Sequence, residues 1–178
     1  MAGIIKPKVK RYYKGPLRAV YGAFDYHDDL TQKLITKFKY EGVTELAEIF
    51  SRVLSVLISG KISGSAVLVP VPGDFWRRLE RGYNQTELLA RAVSRLTGYP
   101  VERSLKKRYP TPSQTGLDRR QRRKNIAKSF LWRGGKLHGK TLVIVDDVTT
   151  TGATIAEAAR AMRLLRPKVI YGLVLAFD

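Results

Sequence analysis

Two stretches of this chain are apolar without a break, and the rest of the pattern is arranged around them. Residues 141–145 (Thr-Leu-Val-Ile-Val) and 65–71 (Ser-Ala-Val-Leu-Val-Pro-Val) show no polar alternation. Such runs suit strands buried on both faces of a parallel sheet. Pro70 and Pro72 are expected to end the second run, because proline cannot donate to a ladder. Elsewhere the periodicity changes. Leu30, Leu34, Ile35 and Phe38 recur at helical spacing behind Asp28 and Asp29, which suit a helix cap, and Gly42 stops the pattern. Residues 44–58 repeat it through Leu46, Ile49, Phe50, Val53, Leu54 and Leu57. Further helices are expected from about Asn84 through Leu96 and from Ala153 onward. Strands are expected at 18–26, around 104–107 and at 168–177, whereas residues 1–17 read as irregular.

The order of strands and helices after residue 65 predicts an α/β fold: a mainly parallel sheet flanked by helices on both faces, with both apolar strands inside it. No repeat or low-complexity linker divides the 178 residues. A single domain over 1–178 is expected, with a basic arm, a strand and two packing helices in 1–60. The core would occupy 65–178.

Chemistry gathers where the strands stop. After residue 145 come Asp146 and Asp147, then Thr149, Thr150, Thr151, Gly152, Ala153 and Thr154. Ligands in open α/β sheets bind beyond the carboxyl ends of strands. A helix beginning there offers free amides and a positive dipole end to an anion. Gly152 permits close backbone approach and the threonines add hydroxyl donors. Two carboxylates can accept hydrogen bonds from a vicinal diol, so phosphate on one side and hydroxyls on the other describe a ribose phosphate. A plain strand-to-helix junction needs one Asp and one Thr, not two and four. The loop lacks the Gly-Lys-Ser/Thr of a triphosphate P-loop.

This segment resembles the phosphoribosyl pyrophosphate signature of type I phosphoribosyltransferases. The loop after residues 65–71 supplies a second anion site, in which Arg77, Arg78 and Arg81 present forked donors before the next helix. One phosphate at one end and a pyrophosphate at the other would match the two sites. Polar residues 111–130, with Gln114, Arg119, Arg120 and Arg123, are expected to form a mobile lid over a charged substrate.

Val69-Pro-Val-Pro72, Arg81-Gly-Tyr-Asn-Gln85, Thr111-x-x-Gln114-x-x-Leu117 and Arg123-x-Asn125, set before the acidic loop, resemble ComF-type phosphoribosyltransferase-like proteins. The resemblance covers residues 12–178. It implies phosphoribosyl pyrophosphate or a nucleoside monophosphate as ligand and a link to competence and DNA uptake, without naming an acceptor. Many relatives carry a four-cysteine zinc element ahead of this domain; this chain has no cysteine. If catalytic, Asp146 and Asp147 would stabilise the cationic sugar and hold Mg²⁺, directly or through water. The other reading is a nucleotide-sensing module without turnover.

Composition narrows the setting. Without cysteine, disulfides and thiolate metal sites are excluded, and with only His27 and His138 a histidine metal site is not expected. No run approaches a membrane span, and a cytoplasmic protein is expected. The net charge of +18 sits in residues 1–18 and 103–140, which hold six and thirteen Lys or Arg against one acid. Localised charge of this kind suits single-stranded nucleic acid or a DNA-processing partner. Tyr109, Phe130 and Trp132 lie among these cations as candidate stacking rings, with a core role expected first for Phe130 and Trp132. Oligomeric state stays open.

Overall fold

The computed structural model of the protein describes residues 8–11, 17–62, 64–73, 82–108 and 129–178. Its main sheet has five strands. They are β1 (Lys8–Arg11), β2 (Leu17–Asp25), β3 (Ala66–Pro70), β6 (Thr141–Thr149) and β7 (Val169–Phe177), in the order β1-β2-β7-β6-β3. β1 runs antiparallel to β2, and every other pairing is parallel. The last strand of the chain thus lies in the middle of the sheet. A separate two-stranded ribbon joins β4 (Leu105–Lys107) to β5 (Phe130–Trp132).

Alternation along each strand divides the core in two. Leu68, Val143, Val145, Leu173 and Leu175 face helices α1 (Asp29–Tyr40), α2 (Leu46–Ile58) and α3 (Gln85–Thr97). Val67, Val69, Leu142, Ile144, Ile170 and Val174 face α4 (Ala153–Met162) and the ribbon, through Ile155, Ala158, Met162, Leu105 and Phe130. Side-chain period 2 against a sheet covered on both sides produces the unbroken apolar runs of β3 and β6. Asp28 caps α1 by accepting the Thr31 amide at 2.8 Å, as its position before the helix predicts.

Three expectations need correction. The strand at 65–71 is not internal: among the described residues β3 is the end strand of the sheet. Only Leu68 bonds outward, donating to the Pro100 carbonyl and accepting from Glu102 in a bridge to Val101. Burial of both faces, which its sequence records, does not tell a central strand from an edge. The strand at 141–145 runs on to Thr149, so both acids lie within it. Residues 8–11 are paired rather than irregular. Phe130 and Trp132 belong to a strand, with Phe130 buried and Trp132 half-buried, in keeping with the core role expected for Phe130. Among the described residues no helix is long and apolar enough to cross a membrane.

α4 lies unusually close to the sheet at Gly172. A Cβ there would stand 2.9 Å from Ile155 and 2.9 Å from Val20, both fully buried. The Gly172→Ala variant is therefore expected to lose about 1–3 kcal/mol through overpacking, read as a lower urea midpoint with unchanged slope. An unchanged midpoint would show that α4 can yield without cost.

Candidate phosphoribosyl site at the end of β6

β6 carries the site from the core to the surface. Leu142 through Val145 are fully buried, and Asp146 is still only 9% exposed. Strand alternation turns Asp146 toward the face of Leu142 and Ile144, and Asp147 toward that of Val143 and Val145. The two acids are neighbours in sequence that address opposite faces, rather than a side-by-side pair.

Their surroundings differ accordingly. Asp147 meets the Lys39 ammonium at 3.0 Å, with both side chains mostly covered. Burial alone would push Lys39 down, but the charge and hydrogen bond of Asp147 outweigh it and hold the lysine above its usual value. The Asp146 carboxyl is pushed up to about 7, first by burial and then by the Asp147 charge. The Asp147 amide, Lys39 and Lys107 act in the other direction.

Nothing in the sequence pattern marks Lys39, which ends α1 among other surface-type lysines. The structure shows why it arrives at Asp147. The Tyr83 hydroxyl donates to the Phe38 carbonyl at 2.8 Å, and Gln85 Nε2 donates to the Lys39 carbonyl at 3.2 Å. Thr86 and Asn84 anchor the same segment to the Val71 carbonyl at the end of β3. Tyr83, Asn84 and Gln85, singled out in sequence as part of a family block, thus fasten the end of α1 over the sheet.

Beyond Asp147 the chain turns through Thr149 to Gly152. Gly152 takes φ 77°, a left-handed conformation that suits glycine, and opens α4 as its N-cap. Thr149 Oγ1 accepts the Gly152 amide at 3.1 Å, and Thr151 Oγ1 accepts that of Ala153 at 3.3 Å. These hydroxyls shape the loop. The amides of Thr154 and Ile155 fall in the first helical turn, where no intrahelical carbonyl reaches them. Thr150, Thr151, Ala153 and Thr154 are all partly exposed. From β1, Lys10 reaches the Thr151 carbonyl at 3.0 Å and adds positive charge.

The sequence-predicted residues Asp146, Asp147 and Thr149–Thr154 therefore come together. Arg77, Arg78, Arg81, Gln114, Arg119, Arg120 and Arg123 lie outside the described residues. Among the described residues no group of three acids or histidines could by itself enclose a metal. Two carboxylates still fit Mg²⁺, which commonly takes one or two from protein and the remainder from phosphate and water.

The raised Asp146 value fixes a pH dependence for the metal-free protein. Its ordinary value is 3.8, so the unfolded chain ionises first as pH rises, and folding stability falls from about pH 4 until about pH 7. Asp146→Asn removes that loss. The variant is expected to exceed the parent by about 2–4 kcal/mol at pH 8, with the advantage gone below pH 4. Thermal melts across that range check it; parallel curves would refute the assignment.

Residues 86–178, just over half the chain, match the phosphoribosyl transferase domain family. Competence protein F of Haemophilus influenzae is 30% identical over 140 residues, which are 74% of this chain and 61% of that protein. Competence protein ComFC of Bacillus subtilis is 28% identical, covering 76% of this chain and 55% of its own. DNA utilization protein YhgH of Escherichia coli K12 is 32% identical over 153 residues, covering 83% and 66% respectively. The chain thus spans less than two thirds of the length of these relatives. Among solved structures, the allosteric regulatory enzyme of purine biosynthesis aligns with 72% of this chain and 25% of its own, at 19% identity and a TM-score of 0.48. On the domain match and these relatives, the chain belongs to the phosphoribosyl transferase domain family, as a ComF-type member.

Proposed function

We propose that the protein binds phosphoribosyl pyrophosphate or a nucleoside monophosphate at the end of β6, and that it transfers the phosphoribosyl group to an acceptor in a process serving DNA uptake. The observation that carries this reading is the continuous element from β6 through Gly152 into α4. It sets an acidic strand end and free helix amides within one short loop. The 5′-phosphate would lie against the amides of Thr154 and Ile155, with Thr150 and Thr151 nearby. Asp147, paired with Lys39, would accept the ribose hydroxyls. Arg77, Arg78 and Arg81 are assigned to the pyrophosphate, and Gln114, Arg119, Arg120 and Arg123 to a covering lid.

In transfer, the bond between the anomeric carbon and pyrophosphate breaks, and the electron pair leaves with pyrophosphate. A bond from the acceptor nucleophile replaces it. Mg²⁺, held by Asp146 and Asp147 directly or through water, would neutralise charge on the leaving pyrophosphate. The carboxylate of Asp147 stabilises positive charge developing on the sugar. Asp146 shares that role only when ionised.

One observation favours a second reading, a nucleotide-sensing module without turnover. Lys39 already pairs with Asp147 at 3.0 Å, which leaves that acid less free to serve a reacting sugar. Pyrophosphate release measured across a panel of nucleobases separates the readings. Release with any acceptor supports transfer, whereas tight ligand binding with no release supports sensing.

Asp147→Asn is expected to weaken phosphoribosyl pyrophosphate about tenfold or more in calorimetry, in keeping with the loss of about 1.5–3 kcal/mol for a hydrogen bond to a charged group. Equal affinity would remove the strand end from the site. Excess chelator is expected to weaken phosphoribosyl pyrophosphate strongly and AMP little. Insensitivity of both would take Mg²⁺ out of the proposal.

A further inference from the structure

The charge of this protein is concentrated at the opposite end of the sheet from the phosphate loop as well as near it. The turn before β6 carries Lys136 and Lys140, and the segment between α4 and β7 carries Arg163, Arg166 and Lys168; all five are exposed. Two backbone hydrogen bonds lock these segments side by side. Gly139 donates to the Arg166 carbonyl at 3.1 Å, and Lys168 donates to the Lys140 carbonyl at 2.9 Å. Arg18, entering β2, joins Lys168 in lining a cleft of about 250 Å³ with Thr141 and Tyr171. None of these six cations makes an ion pair among the described residues. No acidic residue occurs in 129–145 or 158–177.

Sequence charge alone marked only Arg18, Lys136 and Lys140 of this surface. Residues 163–168 lie outside the two basic stretches, and parallel pairing of β6 with β7 brings them against 136–140. All strands of the parallel set begin at this end, while the Gly152 loop lies at the other. The length of β6, nine residues at about 3.3 Å each, puts the two ends roughly 30 Å apart.

The geometry points to this amino-end face as a docking surface for the phosphodiester backbone of nucleic acid, able to be occupied while the phosphate loop holds its own ligand. The surface carries six cations around a single exposed large apolar side chain, Leu164. A protein-binding patch would ordinarily have an aromatic or aliphatic centre. Unpaired Lys and Arg that release counterions are what a nucleic-acid backbone selects. The cleft between Arg18 and Lys168 has room for one phosphate. The inference does not depend on the ligand assigned to the phosphate loop. It moves the nucleic-acid contact expected from residues 103–140 onto the face shared by 136–140 and 163–168.

The test uses a fluorescent single-stranded oligonucleotide, titrated across a salt series. The variant carries Lys136→Gln, Lys140→Gln, Arg166→Gln and Lys168→Gln, with melting temperature checked against the parent. The expected result is at least about tenfold weaker binding at low salt, and a log–log salt slope flatter by about 3, since each lost phosphate contact removes about 0.7 on a single strand. Phosphoribosyl pyrophosphate should bind parent and variant alike, and saturating it should leave oligonucleotide affinity unchanged. Three results would overturn the proposal. One is no binding of the oligonucleotide by the parent at low salt. Another is loss of binding only when Arg119, Arg120, Arg122 and Arg123 are replaced by Ser. The third is competition by polyglutamate of matched charge as effective as that by the oligonucleotide, which would assign the face to an acidic protein. If the sugar phosphate binds neither protein while the slope change holds, the functional reading fails and this surface stands.

Discussion

A strand buried on both faces must deliver carboxylates to the surface, and the local structure follows from that constraint. Apolar residues from α1–α3 cover one side of β6 and those from α4 cover the other, as far as Val145. Asp146 comes before solvent is reached, and the cost of charging it there shows as a proton held up to about 7. Asp147 comes one residue later on the other face, where it meets the Lys39 ammonium at 3.0 Å. Identical side chains one residue apart are thus chemically different. Desolvation, which penalises only the charged form, acts on one, and a paired cation acts on the other.

That pairing depends on contacts outside the strand. α1 lies against the sheet through Ile35 and Phe38. Its final turn is held by Tyr83 and Gln85 ahead of and within α3. The segment leading from β3 into α3 therefore braces the acid at the end of β6 through α1. A substitution at Tyr83 would act on Asp147 at one remove, by loosening the backbone that carries Lys39.

Close approach of α4 supplies the other half of the geometry. Gly172 leaves room for Ile155, and this brings the first turn of α4 down to the sheet where the loop from Thr149 can meet it in so few residues. Gly152, in its left-handed conformation, makes that turn possible. The parallel crossover from β6 through α4 to β7 also returns the chain to the amino end. There Arg163, Arg166 and Lys168 fall beside the turn before β6.

The sequence by itself determined the helices, most of the strands, and the acidic, threonine-rich stretch at the end of β6. Unbroken apolar runs require two-sided burial, helical spacing marks α1 to α4, and two acids followed by Thr and Gly leave few chemical meanings. All of these are local patterns of side-chain period or composition. Tertiary structure decided the rest, because it depends on partners distant in the chain. Edge or interior could not be read for β3, since both faces are apolar in either position. β6 reads as stopping at Val145 because charge normally ends a buried strand, yet pairing with β7 carries it to Thr149. The opposite orientations of Asp146 and Asp147 follow only once that extension is known. Lys39 reaches Asp147 across more than a hundred residues, and the basic amino-end face joins segments that a linear tally of charge separates. Periodicity records what each residue needs around it; only the packed sheet shows which distant residue supplies it.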